Sequence, residues 1–342
     1  MKHLLYIGNK LEKKGRSAST IDTLGPLLEA EGYKVRYASS SLNIATRFIS
    51  MLFSTFRYGP KSDFVLIDTY STLNFYYAFF CSQLCRMLNV QYIPLLHGGD
   101  LPIRLSKSPR MSKMIFENAY LNISPSSFLK TKFEEAGFKN IKEIPNNISL
   151  HDFPFTKRNS IEPKLIWVRA MADIYNPKMA LEVLKILQTD FPEISLTMVG
   201  PDKENRMPDL LSFAQSEKLN VNFTGKLSRK EWSELSKDSS IFINTSNFDN
   251  MPVSLLEAAA LGLSIVSTNV GGIPYLFEHS KTALLSDAND PDKMAENIRL
   301  LLSDPDLQQS LQRNSYEFVQ QFDWQKVKGE WHEIFQNVEN LF

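Results

Sequence analysis

The chain has 342 residues, 43% of them hydrophobic and 22% charged, enough for about two domains of roughly 150 residues each and too apolar for disorder. Lys+Arg and Asp+Glu both number 38, so no overall field draws the chain to nucleic acid. No uninterrupted run reaches the roughly 18 apolar residues of a membrane span, and the opening MKHLLYIGN is too short in apolar residues for a signal peptide.

Short apolar runs alternate with helix-period stretches from the first residues onward. In the first half, strands are predicted at 3–8, 34–38, 64–68, 92–96, 121–124 and 141–144, with helices at 18–30, 44–56, 73–88, 111–118 and 128–136. The strand runs are continuous rather than alternating, as expected for parallel strands covered on both faces. Cys81 and Cys85, four apart in an apolar run, fit neither a disulfide framework nor a zinc pattern and read as buried thiols of a cytoplasmic protein. The aromatic run 75–80 reads as helix core. A Pro- and Asn-rich stretch over 145–163 has no period and serves as the linker, dividing the chain into domains 1–160 and 161–342.

The pattern then restarts. Strands are predicted at 165–168, 195–199, 221–224, 241–244, 264–267 and 282–285, with helices at 178–188, 209–218, 230–237, 253–261 and 292–302. Two closing helices cover 307–320 and 324–338, the last free to pack back on the first domain. Twelve strands and a mid-chain linker fit a single eight-stranded barrel poorly. They fit an α/β protein of two Rossmann-like domains facing across a cleft, with chemistry at the carboxyl ends of the strands. Charge separates the halves: residues 1–160 hold 21 Lys+Arg against 12 Asp+Glu, a net of +9, and residues 161–342 carry −9. Basic residues gather at Lys10, Lys13, Lys14 and Arg16, and again at Arg104, Lys107, Arg110 and Lys113, marking either a solvated face or a contact with an anionic membrane surface.

The densest motif is INTSNFDNMPVSLLEAAALGLSIVSTNVGGIPYLFEHSKTALL. A strand ending at Asn244 opens into a polar loop, and Pro252 stands where a helix starts, with Asn250 or Asp249 as its cap. Asp249 on the loop and Glu257 on the helix place two carboxylates at one opening. Beyond the next strand, Gly271 and Gly272 form a turn whose N–H groups can cradle phosphate.

This stretch resembles the signature of the family-four (group 1) retaining glycosyltransferases of GT-B fold, bacterial surface-polysaccharide type. Their pattern is an acidic residue, Gly-x-Pro, a Glu-Ala five residues on, then Gly-x-Pro-Val and Gly-Gly-Ile-Pro. Asp249 takes the place of the usual first Glu, Asn250 that of Gly and Ser264 that of Pro. Met251 and Pro252 complete the loop, and Glu257, Ala258, Gly262, Gly271, Gly272 and Pro274 match directly. The resemblance continues elsewhere. Arg169, ending LIWVRA, is similar to the family's strand-end Arg on the donor diphosphate. The Lys usually found a few residues later is replaced near Tyr175, with Lys178 displaced but still a candidate phosphate contact. Gly200 in MVGPDK, and Gly225 with Lys226 in FTGKLSRKEW, resemble the two loops that hold the nucleotide base. Gly8, Asn9 and Gly15 resemble the acceptor-side loop, and His97 in LLHGGD stands where the family has a His beside the sugar.

The resemblance implies a hexosyltransferase. It takes a nucleotide-sugar donor, a UDP-sugar by expectation, and a glycan or lipid-linked acceptor. Arg169 and the Gly271–Gly272 amides would take up the leaving diphosphate in place of a metal, with no cofactor. Glu257 would accept from the ribose hydroxyls, Asp249 lie near the sugar and the reacting carbon, and His97 bond a sugar hydroxyl or assist proton transfer. Neither a His/Cys cluster with metal spacing nor Asp-x-Asp is present in the sequence. A GT-B nucleotide-sugar 2-epimerase and an inactive GT-B-like partner subunit remain as alternatives.

Overall fold

The computed structural model describes residues 1–14, 19–38, 40–158 and 161–336. It contains two six-stranded sheets, each with every pair of neighbouring strands parallel, in two compact units. One unit is Met1–Pro145 with the chain from Gly329 onward, and the other is Asn146–Lys328.

The first unit holds β1 (His3–Ile7), β2 (Lys34–Ala38), β3 (Phe64–Thr69), β4 (Tyr92–Leu96), β5 (Asn122–Ser124) and β6 (Ile141–Glu143), in the order β2-β1-β3-β4-β5-β6. Its helices are α1 (Thr20–Ala30), α2 (Ile44–Tyr58), α3 (Asn74–Met87), α4 (Leu101–Lys107), α5 (Pro109–Phe116) and α6 (Ser127–Glu135). The central strands β3 and β4 are buried at every position, which is why β4 is apolar throughout and β3 is an apolar run that closes on Asp68 and Thr69. Helix α4 is the element that periodicity does not predict. Its apolar residues at 101, 103 and 105 have strand-like spacing, and Pro102 is tolerated because it sits in the first turn.

The second unit holds β7 (Lys164–Val168), β8 (Ser195–Val199), β9 (Val221–Gly225), β10 (Ile241–Asn244), β11 (Ser264–Thr268) and β12 (Leu284–Ser286), in the order β12-β11-β10-β7-β8-β9. Around it lie α7 (Pro177–Gln188), α8 (Met207–Ser216), α9 (Arg229–Leu235), α10 (Val253–Ala260), α11 (Ile273–Leu276), α12 (Pro291–Ser303) and α13 (Pro305–Val319). The helix α14 (Trp324–Gln336) closes the described chain. The run of three alanines ending α10 lets that helix sit deep: Ser254 through Ala260 are all buried. Trp167, fully buried in β7, donates its indole N–H to Thr245 Oγ1 at 2.9 Å and so ties β7 to the loop after β10.

The two units divide between Pro145 and Asn146, earlier than the 160/161 split expected from the linker's composition. The reason is packing. Residues 146–158 lie on the second unit: Ile148 bridges Asp323, Phe153 is buried beside Trp232, and Arg158 is 8% exposed. The Arg158 guanidinium donates to the carbonyls of Thr156, Ser236, Ser239, Leu261 and Gly262, which satisfies a buried cation that would otherwise be costly. Burial nonetheless pulls its pKa down to about 10.

In each sheet the strand order reverses at one place, between β1 and β3 in the first unit and between β7 and β10 in the second. The crevice outside the carboxyl ends of such strands is where open α/β sheets bind ligands.

Candidate active site

Arg169 is the first residue beyond β7, and its N–H donates to Val199 O at 3.0 Å, locking it to the end of β8. Its Nη2 donates to Asp249 Oδ2 at 2.8 Å, and its guanidinium lies 5.2 Å from the Tyr175 ring centroid. Its Nε is buried without a hydrogen-bond partner, which is unusual for so strong a donor. The β7 and β10 ends thus carry a partly buried ion pair, with side chains 14% and 16% exposed and one donor N–H unspent. Burial raises Asp249 above the usual carboxylate range, against the opposing pull of Arg169 and the Asn250 N–H.

Glu257, buried on the second turn of α10, has Arg229 at 3.6 Å and is pushed up to about 7 by burial, with Arg229 and then Arg169 pulling the other way. The Arg229 contact is invisible to motif reading. That residue opens α9 beside the capping box of Ser228 and Glu231, a local pattern that says nothing of a carboxylate 28 positions away.

The glycine turn departs from expectation. Gly272 N–H donates to Asp249 O at 2.9 Å, so that amide is committed within the protein rather than offered to phosphate. A Cβ on Gly271, which has φ +56°, would stand 2.0 Å from Asp249 O, and one on Gly272 would stand 1.8 Å from Asn250 O. These glycines therefore let two loops interlock and hold Asp249 in place. Gly200 serves Arg169 in the same way: its Cβ would lie 1.7 Å from Arg169 O, and its N–H donates to Gly225 O. Gly225 has φ +72° with open space around it, and Lys226 beyond it is exposed.

Three expectations for this unit need correction. The N-cap position of α10 is taken by Pro252, which has no side-chain bond to give, rather than by Asn250 or Asp249. The Met251 side chain is in the hydrophobic core, where Sδ takes the Asn146 N–H at 3.3 Å, so its work is packing. Lys178 pairs with Glu182 at 3.5 Å and lies 5.8 Å from the Phe213 ring, on the outer side of α7. Its contacts are thus with Glu182 and Phe213, whereas Arg169 meets Asp249 and Tyr175.

In the first unit, His97 follows β4, and its Nε2 lies 2.9 Å from Asp68 Oδ1. Asp68, near the end of β3, is fully buried and also accepts from Tyr6 OH at 3.0 Å, while its Oδ2 has no partner. His97 Nδ1 is 3.5 Å from Thr20 Oγ1, and Tyr70 packs on the ring at 5.0 Å. Gly8 gives room for this carboxylate, since a Cβ there would stand 2.4 Å from Asp68 Oδ2, and Asn9 Oδ1 is a second buried acceptor without a partner. Motif reading finds His97, Gly8 and Asn9 but not Asp68 and Tyr6, which look like ordinary strand residues. Gly15 and Arg16 lie outside the described residues. Among the described residues, no three His, Cys, Asp or Glu side chains are grouped to hold a metal, and no helix is long and apolar enough to cross a membrane.

Comparison with known proteins adds the following. Residues 151–318 match the family described as glycosyl transferases group 1. An uncharacterized glycosyltransferase of Haemophilus influenzae is 28% identical over 155 residues, 45% of this chain and 43% of that protein, so the matched part spans less than half of this relative. The N-acetyl-alpha-D-glucosaminyl L-malate synthase of Bacillus anthracis is 23% identical over 358 residues, covering 92% of each chain. Among solved structures, Anabaena Alr3699/HepE in complex with UDP-glucose superposes with a TM-score of 0.81 over 99% of this chain and 100% of that one, at 13% identity. The likeness shows the fold, GT-B: α/β, with two Rossmann-like parallel sheets.

Proposed function

We propose that this chain, whose residues 151–318 match the group 1 glycosyl transferases, moves a sugar from a nucleotide-sugar to a glycan or lipid-linked acceptor. The observation that carries the reading is the Arg169–Asp249 pair with its buried, unspent Nε–H, at the reversal point of the second sheet and near Glu257. Transfer breaks the bond between the anomeric carbon and the donor oxygen, and the electron pair leaves with the nucleoside diphosphate. A guanidinium donor pre-placed in a site largely closed to water stabilises that departing charge without reorganising. Because Arg169 supplies it, the reaction runs without a catalytic metal and survives EDTA.

Glu257 accepts from the ribose hydroxyls in this reading, for which it must be ionised. Asp249 stands by the sugar, where its carboxylate supports a developing positive carbon. The donor is a UDP-sugar, a choice supported by the solved UDP-glucose complex of the Anabaena protein. The first unit takes the acceptor, and His97, held by Asp68, is its partner for a hydroxyl. Transfer retains the anomeric configuration, and the setting is surface-polysaccharide synthesis at the cytoplasmic face of a membrane.

Calorimetric titration with UDP tests the donor site. Arg169→Ala and Glu257→Ala should each weaken binding, since a charge-assisted contact contributes roughly 1.5–3 kcal/mol. Unchanged affinity in both variants, with melting curves like the parent's, overturns the assignment.

A further inference from the structure

The first unit carries an apolar surface that its fold does not use. On α2, Met51 and Thr55 point into the core, whereas Ile49, Phe53 and Phe56, at i, i+4 and i+7, share the opposite side. Those three residues are 64%, 61% and 61% exposed, a large excess for side chains of this size. The stripe continues onto the neighbouring helix, where Phe48 of α2 meets Phe80 of α3 edge-on at 5.6 Å, and Tyr76 and Phe80 are themselves exposed. In the second unit the exposed large apolar residues, such as Ile174, Leu211, Tyr275 and Leu300, are scattered singly.

Charge says what covers this surface. From Lys34 to Ser62 the sequence has five basic residues, Lys34, Arg36, Arg47, Arg57 and Lys61, and no Asp or Glu. From Thr69 to Gly99, through all of α3, there is again no Asp or Glu. Arg57 and Lys61 are exposed at the C-terminal end of the stripe, and Arg36 stacks on Tyr58 at 4.1 Å. The exposed cations at the end of the stripe, Arg57 and Lys61, call for an anionic partner, and α2 and α3 themselves carry no acid to neutralise them. A second copy of the chain would bring like charge against like.

We infer that the α2–α3 face of the first unit docks on an anionic lipid surface, with Ile49, Phe53 and Phe56 entering the headgroup boundary and Arg57 and Lys61 meeting the lipid phosphates. An interfacial helix of this kind sinks its apolar side roughly 5–10 Å and draws further on charge attraction. This deepens the membrane part of the proposed function and is independent of sugar transfer. It assigns docking to α2 and α3 rather than to the loop of Lys10, Lys13 and Lys14, where Lys10 is already held over the Tyr37 ring.

The test is co-sedimentation of the full chain with vesicles of phosphatidylcholine alone or mixed with phosphatidylglycerol, at low and high salt, with UDP affinity measured on the same preparations. The parent should bind the phosphatidylglycerol vesicles. Phe53→Ser with Phe56→Ser should lose at least about tenfold in partitioning at either salt concentration, because two buried aromatic rings are removed. Arg57→Gln with Lys61→Gln should lose less and flatten the salt dependence, and Lys13→Gln with Lys14→Gln should bind like the parent. All three pairs are exposed, so UDP affinity and melting temperature should stay at parental values.

Absence of vesicle binding by the parent at low salt overturns the inference while leaving the donor site standing if UDP still binds. Undiminished binding by the double Phe variant, or loss confined to the Lys13/Lys14 variant, moves docking elsewhere and equally overturns it. A parent that ignores vesicles but sediments as a dimer, dissociated by the Phe substitutions, assigns the face to a second copy instead.

Discussion

The two units share a plan and differ in what they place on it. Each is a parallel six-stranded sheet whose strand order reverses once, and each has a buried or partly buried acid–base pair at the carboxyl ends of its strands, at the reversal in the second unit and one strand over, between β3 and β4, in the first. In the first unit the pair is Asp68 with His97, a cation only when protonated. In the second it is Asp249 with Arg169, a cation always. In both, a glycine makes room beside the acidic residue: Gly8 at the Asp68 carboxylate and Gly271 at the Asp249 backbone carbonyl. The difference matches the partners proposed for each. A permanent guanidinium suits a diphosphate whose charge does not vanish, and an imidazole suits a hydroxyl that must give up a proton. The lesson is that a fold sets where chemistry happens and the identity of one side chain sets which chemistry.

Breaking the second unit's pair should have the largest effect. Arg169→Ala leaves Asp249 partly buried without its cation, at a cost of about 3 kcal/mol in stability, and lowers turnover by roughly 100-fold or more. Adding Asp249→Asn should recover most of the lost melting temperature and none of the turnover. If the single variant melts like the parent, the pair is not the anchor described above.

A second contrast concerns pH. Burial lifts Glu257 from its ordinary 4.5 to about 7, so the folded chain holds this proton more tightly than the unfolded chain does. Its contribution to stability is complete below 4.5 and is lost as pH rises through 7. Over that range the loss amounts to up to about 3 kcal/mol. Glu257→Gln should therefore gain on the parent across the window and hold a constant lead above it, as read by thermal melts at a series of pH values. Nucleotide affinity of the parent should move the other way, strengthening as Glu257 ionises. A flat difference between the two proteins removes the buried-acid account.

The smallest effect sharpens the division of labour between units. His97→Ala should lower turnover by about tenfold, the loss of one oriented hydrogen-bonding group, and leave UDP affinity at the parental value. Asp68→Asn should act in the same direction by loosening the ring. A loss of UDP affinity in either variant would mean the first unit also holds the nucleotide.

The strands are legible in the sequence because most are short apolar runs bounded by turn residues, while the edge strand Lys34–Ala38 alternates instead, and four of them, including Lys34–Ala38 and Tyr92–Leu96, keep the expected bounds. Arg169, Asp249 and Glu257 are legible because a strand end, a polar loop and a helix start follow one another at short range. Asp68 is not. It closes the run FVLID like any strand end, and only the fold brings Tyr6 and His97 to it. A charged residue at the end of a wholly apolar strand was the available signal. The glycine turn misleads for the opposite reason: Gly-Gly before a helix suits phosphate as well as close backbone packing, and only the third dimension shows that Gly272 already has its acceptor. Lys178 misleads because chain proximity to Arg169 is not contact.

The reach of Arg158 bears on how the second unit could be excised for separate expression. One side chain satisfies the carbonyls of Ser236, Ser239, Leu261 and Gly262, drawn from two stretches of chain more than twenty residues apart. A fragment begun at residue 161, where composition suggests a fresh start, would take the guanidinium from all four carbonyls, leaving Ser236 O to the Ser239 N–H and Gly262 O to Gln312, and would uncover the seat of Phe153 beside Trp232. A fragment begun at Asn146 keeps both, so thirteen residues that look like connecting tissue are the unit's own inner wall.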